Sequence, residues 1–184
     1  MTELTGKAGV SGLRVREMTL ADCARVAEIR IRGWQSAYRG LIPQTYLDGL
    51  SVREDAERRR TYFTQAGGDV VDLVAEGTGG EIVGWACHGP YREGEDRTED
   101  VELYAIYVHP GHVGCGVGQA LLSESVARCS AAGHDRMLLW VLKENGRARR
   151  FYERAGFHAD GAEEPFEVAG VTVPEVRYAR TLPR

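Results

Sequence analysis

A glycine-rich turn between a strand and a helix is the feature of this sequence that most limits the fold. Residues 101–108, VELYAIYV, are rich in the β-branched and aromatic side chains that favour a strand. The turn HPGHVGCGVG follows at 109–118, and residues 116–132 have the pattern of a helix that ends at Gly133. A helix N-terminus presents unpaired N–H groups, and glycine lets a ligand approach the backbone closely. The segment therefore predicts a binding site for a phosphate or pyrophosphate.

The spacing of the glycines separates this turn from two better-known phosphate-binding loops. A dinucleotide-binding G-x-G-x-x-G that began at Gly114 or Gly116 would need glycine at position 119 or 121. The chain has Gln119 and Leu121 there. The G-K-[ST] of nucleotide triphosphatases does not occur in the sequence. Hydride transfer and nucleotide hydrolysis are therefore excluded, while a tight turn without a ligand stays open as the alternative.

Three side chains of the turn have the spacing of some metal ligands. His109, His112 and Cys115 form the pattern H-x-x-H-x-x-C. A metal site of this kind needs a fourth ligand or a bound water, and anion binding already explains the turn. We therefore expect no metal.

The composition is that of an ordinary globular domain. The chain has 184 residues, 43% of them hydrophobic and 27% charged, and a domain of this length buries about 70% of its unfolded surface. The net charge of −4 argues against nucleic acid as a principal partner. No signal-peptide core or run of ~18 apolar residues occurs, and the cysteines form no C-x-x-C pair. We expect a cytoplasmic protein with reduced thiols and no membrane partner.

The rest of the pattern predicts a flexible leader at residues 1–12 and a single domain at 13–184, built on one mixed sheet with helices on both faces. The expected order is βααβββαβαββ. The expected elements are a strand at 13–18, a helix capped by Asp22, a charged helix at 48–66, strands at 70–75 and 82–88, a polar loop at 90–100, the strand and helix of the glycine turn, a central strand at 137–142, a helix at 146–155 capped by Asn145, and one or two strands in 157–182.

A second motif follows the predicted central strand. The sequence NGRARRFYERAGF at 145–157 places Ala148, Phe151, Tyr152 and Ala155 on one helical stripe. An apolar stripe by itself usually packs in the core, and the arginine row beside it is usually a solvated face. The glycine turn after one strand and N-x-x-A-x-x-F-Y-x-x-x-G-F after the next form a more specific pair than either motif alone.

On these residues the chain resembles the GNAT superfamily of N-acetyltransferases. Gly116 and Gly118 match its acyl-CoA signature, Q/R-x-x-G-x-G/A. Asn145, Tyr152 and the Gly-Phe ending match its second motif, and the segment GWQSAYRGLIP at 33–43 is also similar to many members. The resemblance implies an α/β (α+β) fold. Its centre is one mixed, mostly antiparallel sheet of six to seven strands, with about four helices on both faces.

The resemblance also implies where acetyl-CoA binds as co-substrate. The pantetheine arm would pair like an added strand with the backbone at 106–108, and amides of the turn would hold the pyrophosphate. The side-chain contribution of the signature is missing at Val113, where the family has Arg or Gln. The residues implied in acetyl-CoA binding are Ile106, Tyr107, Val108, Val113, Gly114, Cys115, Gly116, Val117, Gly118, Asn145, Tyr152 and, for the 3′-phosphate, Arg150.

Acetyl transfer to an amine requires a base for the amine, a donor for the oxyanion and an acid for the leaving thiolate. By resemblance, Tyr152 is the candidate acid, since a phenol with a pKa near ~10 stays protonated at neutral pH. Glu102 is the candidate base, directly or through a water, because it begins the strand that carries the thioester. A backbone amide near Ile106 would contact the oxyanion.

The acceptor side is represented by fewer residues. Trp34 and Tyr38, just before the turn at Gly40, are candidates for binding the acceptor, with packing in the core as the open alternative. The acidic residues of the predicted loop at 90–100 would attract a cationic amine. We expect an acyl-CoA-dependent N-acetyltransferase, monomeric or homodimeric. It would acetylate a primary amine of a small molecule or peptide by direct attack in a ternary complex. The alternative is a non-catalytic acyl-CoA-binding regulatory module.

Overall fold

One seven-stranded sheet forms the centre of the structure, a computed structural model that describes residues 12–65 and 68–183. Its strands are β1 (Arg14–Glu17), β2 (Val71–Glu76), β3 (Ile82–Glu93), β4 (Asp96–Val108), β5 (Arg136–Leu142), β6 (His158–Val168) and β7 (Val171–Thr181). Their order across the sheet is β1-β2-β3-β4-β5-β7-β6. Neighbouring strands are antiparallel except for β4 and β5, which are parallel. Of the predicted leader at 1–12, all but Gly12 lies outside the described residues.

Helices cover both faces of this sheet. The described residues form α1 (Cys23–Ala37), α2 (Gln44–Asp48), α3 (Val52–Gln65), α4 (Val117–Ala131) and α5 (Gly146–Arg154). Successive residues of β2 point to opposite faces, so Leu73 packs with Leu121 of α4 while Val74 packs with Ile29 of α1. Covered on both sides, the inner strands are apolar along most of their length. In the part of the chain described, no helix is both long enough and apolar enough to cross a membrane.

The polar segment predicted as a loop at 90–100 is paired strand instead. It extends the hairpin of β3 and β4, and Glu93 lies opposite Asp96 next to the turn. Polar composition suggested a loop, but strand pairing depends on the backbone of the neighbour and on where the side chains find partners. The carboxylate of Asp100, for example, forms a salt bridge with Arg136 of β5. The prediction was wrong because this partner is distant in sequence.

Two helix predictions also need correction. The helix expected at 48–66 is interrupted at 49–51, which separates α2 from α3. Asp22 does not cap α1, because a 3₁₀ turn at Leu20–Asp22 runs directly into that helix and leaves Asp22 with helical dihedral angles. Its carboxylate instead accepts hydrogen bonds from Arg16 at 2.7 Å and from the Thr19 amide at 2.8 Å. The hydrogen bond from Arg16 lowers the pKa of Asp22.

The hairpin of β6 and β7 closes the carboxyl end of the fold against α2. Leu142 of β5, Val168 of β6, and Ile42 and Leu47 near α2 form a small buried cluster of their own. This packing brings the segment after α1 close to the hairpin, although more than 100 residues separate them in sequence. The two segments border the same side of the sheet.

Candidate active site

The sheet separates between β4 and β5. These parallel strands pair only at Val101 with Met137 and at Glu102 with Leu138. Beyond that point β4 remains paired with β3 and β5 remains paired with β7. A register shift between β3 and β4, close to Tyr104, marks a β-bulge where β4 bends. The two strands therefore diverge from Glu102 onward, and we call the space between them the split.

The end of β4 presents unpaired backbone groups to the split. The His109 amide donates to the Val83 carbonyl of the β3 side at 2.8 Å. Because the backbone groups of successive strand residues alternate in direction, the peptide groups of Tyr107 face β3 as well. Those of Ile106 and Val108 face the split. Of the three backbone positions predicted to pair with pantetheine, these two are suitably oriented, whereas the Tyr107 side chain stacks on Trp85 with ring centres 6.1 Å apart.

The turn after β4 requires two of its glycines. Gly114 and Gly116 have φ angles of 87° and 83°, a left-handed conformation that other residues rarely adopt, and Gly116 directly precedes α4. Gly118 has no such constraint. A Cβ at this position would lie 3.5 Å from the Phe151 ring, an ordinary contact. This difference explains physically why a signature G-x-G/A accepts alanine only at its second glycine.

The amides of the turn differ in availability. Those of Val113 and Cys115 donate within the turn, to Pro110 at 3.4 Å and His112 at 3.3 Å, so their predicted contact with pyrophosphate is not supported. Both hydrogen bonds join residues three apart, as in a 3₁₀ turn, and they occupy the N–H groups of Val113 and Cys115. The N–H groups without a backbone acceptor among the described residues belong to Gly114, Gly116, Val117, Gly118 and Gln119. Gln119 was not predicted, although a helix always leaves its first N–H groups free.

Asn145 begins α5 and orients it toward the split. Its side-chain oxygen accepts a hydrogen bond from the Ala148 amide at 3.1 Å, the predicted N-cap. The side chain is nearly buried, and its NH₂ group has no partner among the residues described. Arg150, further along α5, is exposed and likewise has no ion-pair partner in that part of the chain. Both side chains retain donors for a ligand.

Tyr152 extends from α5 into the core next to the split. The residue is only 9% exposed and packs against Phe151 and Phe157, with ring centres 5.2 and 6.1 Å away. Its hydroxyl has no hydrogen-bond partner within the described ranges. Burial, and next the neighbouring Tyr107, raise the pKa of Tyr152. The phenol is therefore protonated at neutral pH. No other group of the described chain accepts a hydrogen bond from its O–H.

Glu102 lies at the vertex of the split. It is half-buried, and no side chain of the described residues donates a hydrogen bond to it. Burial raises its pKa to about 7, and the nearby carboxylates of Glu164 and Glu175 contribute to the shift. A carboxylate with this pKa is ionised in part at neutral pH and holds a proton more strongly than an ordinary glutamate.

Comparisons with known proteins agree with this geometry. The model of the acetyltransferase (GNAT) family matches residues 31–157, more than half of the chain. The chain belongs to the GNAT family of acetyltransferases. It is therefore an acyl-CoA-dependent N-acetyltransferase, and the predicted resemblance and fold class are confirmed. The sheet has seven strands, as expected from the range of six to seven. The described residues form five helices, one more than the four expected.

Relatives and solved structures of the GNAT family cover most of the chain. The uncharacterized N-acetyltransferase YuaI of Bacillus subtilis is 32% identical over 162 residues, which are 88% of this chain and 89% of YuaI. The L-amino acid N-acyltransferase MnaT of Escherichia coli is 30% identical over 79% of each chain. The crystal structure of yncA, an acetyltransferase from Salmonella typhimurium with acetyl-CoA, is 22% identical with a TM-score of 0.70. It aligns with 95% of this chain and 96% of its own.

On the acceptor side of this GNAT fold, Tyr38 lies next to the split. Its hydroxyl is 3.3 Å from that of Tyr107. Trp34, one turn earlier, packs with its ring centre 5.0 Å from Tyr38 and 6.5 Å from Phe166 of β6. Trp34 thus joins α1 to the β6–β7 hairpin as a core aromatic does. A role of either residue in binding the acceptor stays a prediction.

Two carboxylates near the split were missed in the sequence. Glu175 lies opposite Glu164 on β6 and β7, and burial together with Glu164 raises the pKa of Glu175 to about 7. A signal for Glu175 was present, because it interrupts the predicted strand around Val173 with a charge at an inward-facing position. The acidic segment at 90–100 that was expected to attract an amine runs along the β3–β4 hairpin, from a turn about 20 Å along β4 from Glu102 to Asp100, two residues before Glu102, and this role stays a prediction.

Proposed function

We propose that this acetyltransferase moves an acetyl group from acetyl-CoA to a primary amine by direct attack in a ternary complex. Residues 13–184 would form the single domain that does so. The observation that carries the proposal is the split itself, in which unpaired strand backbone leads to unpaired N–H groups at the start of α4. A ligand that combines an amide-containing arm with a pyrophosphate suits this arrangement.

The residues present fit acetyl-CoA as the donor. The peptide groups of Ile106 and Val108 would pair with the amides of the pantetheine arm. The free N–H groups at the start of α4 would hold the pyrophosphate, and Arg150 would lie near the 3′-phosphate. The NH₂ group of Asn145 offers a further donor. When bound, acetyl-CoA supplies the acetyl group as an activated thioester.

Glu102 would prepare the acceptor for attack. A primary amine with a pKa near that of lysine, ~10.4, is almost fully protonated at neutral pH and must lose a proton before it attacks. Glu102 would accept this proton, directly or through a water, and later release it to solvent. The neutral nitrogen then forms a bond with the acetyl carbon, and the second proton that this nitrogen loses as the amide forms would pass to solvent. The N–H of Ile106, which faces the split, would donate a hydrogen bond to the oxyanion.

Tyr152 would complete the transfer. When the carbon–sulfur bond breaks, the sulfur takes the electron pair, and the Tyr152 hydroxyl would donate its proton to the thiolate. The raised pKa ensures that the proton is present when the reaction begins. Solvent would return a proton to the phenolate after the products leave. The hydroxyl is unpaired in the described structure, so no existing hydrogen bond has to break first.

Release of CoA thiol from acetyl-CoA in the presence of primary amines tests the proposal. Tyr152→Phe should lower kcat by about 10²–10⁴, the usual contribution of general acid–base catalysis, with the Kd of CoA unchanged. Tyr178→Phe is the matched control, since that hydroxyl donates to Glu153 at 2.7 Å and accepts from Arg149 at 3.0 Å. The control should lose stability and keep its kcat.

Two outcomes would contradict the proposal. Unchanged kcat in the Tyr152→Phe variant would remove this residue from the mechanism. Tight CoA binding without thiol release on any amine would support the non-catalytic binding module instead.

A further inference from the structure

Three carboxylates share the acceptor face of the sheet. Glu102 is the partner of Leu138 across β4 and β5. Glu175 is the partner of Leu142 on one side and of Glu164 on the other. Paired residues point to the same face, and Leu138 and Leu142 are an even number of residues apart on β5. The side chains of Glu102, Glu164 and Glu175, which we call the carboxylate trio, therefore lie on one face.

The trio has no cation of its own among the residues that the structure describes. Arg177, two residues along β7 from Glu175, forms a salt bridge with Asp160 at 2.7 Å and donates to the Tyr91 hydroxyl at 2.9 Å. Lys143 forms a salt bridge with Glu163 at 2.8 Å. The Glu163 side chain points to the opposite face of β6 from that of Glu164. Neighbouring basic side chains are thus occupied elsewhere, and the negative charge of the trio is left uncompensated.

The three carboxylates are close enough to affect one another. After burial, which is the main cause in each case, Glu164 and Glu175 raise the pKa of Glu102, and Glu164 raises that of Glu175. Such mutual repulsion costs stability. A cation supplied by a ligand would remove that cost.

The trio faces the same space as the reaction centre. Burial is the main cause that raises the pKa values of Tyr38 and Tyr107, and Glu175 contributes to both. Tyr107 in turn affects Tyr152, whose unpaired hydroxyl belongs to a side chain that is more than nine-tenths buried. The Tyr38–Tyr107 pair is therefore close enough to both Glu175 and Tyr152 to be affected by the one and to affect the other.

We propose that the acceptor is a diamine or longer polyamine, with one nitrogen acetylated beside Glu102 and a second, still protonated, bound by Glu164 and Glu175. The inference rests on the proposed function. The attacking nitrogen must be neutral, so it gains little from these two carboxylates during the reaction. A second charged nitrogen gains from them both in the bound state and in the transition state, which lowers KM and so raises kcat/KM.

The geometry of β5 requires two nitrogens rather than one. Leu138 and Leu142, the partners of Glu102 and Glu175, are four residues apart, about 13 Å along a strand. A single ammonium group cannot contact both ends of this distance. A flexible chain with a nitrogen at each end, together with the reach of two glutamate side chains, can span this distance.

Three acceptors of equal length test the proposal: 1,5-diaminopentane, pentylamine and 5-aminopentanoate. In the wild-type enzyme kcat/KM for the diamine should exceed that for pentylamine by about tenfold or more, as expected for a hydrogen bond to a charged group. 5-Aminopentanoate should be the poorest acceptor, because its carboxylate would meet the trio. In Glu175→Gln and Glu164→Gln the ratio of diamine to pentylamine should fall toward one.

Glu163→Gln is the matched control. It removes a carboxylate from the opposite face of the same strand and should keep the ratio of the wild type. The glutamine variants of the trio should fold, since they remove repulsion, and their Tm should not fall below that of the wild type.

A binding measurement separates failure of this inference from failure of the proposed function. Calorimetry of 1,5-diaminopentane with the CoA-bound protein should show binding that weakens about tenfold in Glu175→Gln. Acetylation of pentylamine as efficient as that of the diamine, or absence of diamine binding, would overturn the inference and leave the transfer reaction standing. Diamine binding that depends on Glu175 without thiol release on any amine would support the trio and contradict the proposed transfer.

Discussion

Alanine at two glycines of the turn should change stability in opposite directions. Gly114 has a φ of 87°, and a Cβ there would meet nothing within 4 Å. The cost of Gly114→Ala therefore comes from the left-handed backbone alone, about 1–2 kcal/mol. Gly118 lies in the first turn of α4 with an ordinary φ, and its Cβ would touch the Phe151 ring at 3.5 Å. There alanine should be favoured over glycine by about 0.5–1 kcal/mol.

Differential scanning calorimetry of the unliganded protein measures both effects. For a chain of this length 1 kcal/mol corresponds to about 2–4 °C, so Gly114→Ala should lower Tm by about 2–8 °C and Gly118→Ala should raise it by about 1–4 °C. The methyl group of Gly118→Ala points toward Phe151, so the N–H groups at the start of α4 remain accessible. Its Kd for CoA should stay within about threefold of the wild type.

Each variant has a result that would refute the reasoning. A Tm for Gly114→Ala at or above the wild type would mean that the turn does not need a left-handed residue at this position. A lower Tm for Gly118→Ala would mean that the contact with Phe151 is too tight for a methyl group. The second result would remove the physical account of the G-x-G/A pattern, in which Gly118 is the second glycine.

Four further predictions concern three single residues. For Glu102 the folded pKa of about 7 exceeds the ordinary 4.5, so kcat/KM for the amine should rise with pH through about 7 and lose this limb in Glu102→Gln. The same shift lowers the free energy of unfolding as pH rises from 4.5 to 7, because the unfolded chain releases the proton first. Urea titrations of Glu102→Gln should show a shallower slope, with the contribution of Glu175 remaining. Arg150→Ala should raise the Kd of CoA by up to about fivefold at low salt and leave the Kd of 3′-dephospho-CoA unchanged. Equal effects on both ligands would contradict a contact between Arg150 and the 3′-phosphate. Tyr38→Phe removes the hydroxyl contact of 3.3 Å with Tyr107 and should lower the free energy of unfolding by about 0.5–1.5 kcal/mol in urea denaturation, whereas no loss would show that the contact contributes nothing.

Local features of the fold could be predicted because nearby residues decide them. Asn145 caps α5 as expected, since the capping bond spans only three residues. The strand, glycine turn and helix around Gly116 were likewise predicted from a short segment, because a left-handed residue and a helix start are properties of adjacent peptides. Asp22 shows the limit of such reasoning. Its side chain serves Arg16 and Thr19 because the chain is already helical when it reaches Asp22.

Features that depend on strand pairing could not be predicted in this way. The polar residues of the β3–β4 hairpin look like a loop until Arg136 of β5 supplies a partner for Asp100. The place where β4 and β5 separate follows from the bulge near Tyr104 and from the competing pairs with β3 and β7. No short segment contains this information, since β5 lies more than 30 residues from its partners on β4 and β7.

The sequence by itself determined the family and the strand, glycine turn and helix around Gly116, and it predicted the candidate acid and base, because these depend on residue types at fixed short spacings. Only the tertiary structure decided which backbone groups face the split and that Glu175 and Glu164 join Glu102 on one face. The physical reason is that electrostatic environment depends on distance in space. The packing of β5, β6 and β7 brings Glu164 and Glu175 to the face that holds Glu102, which lies more than 60 residues earlier in the chain.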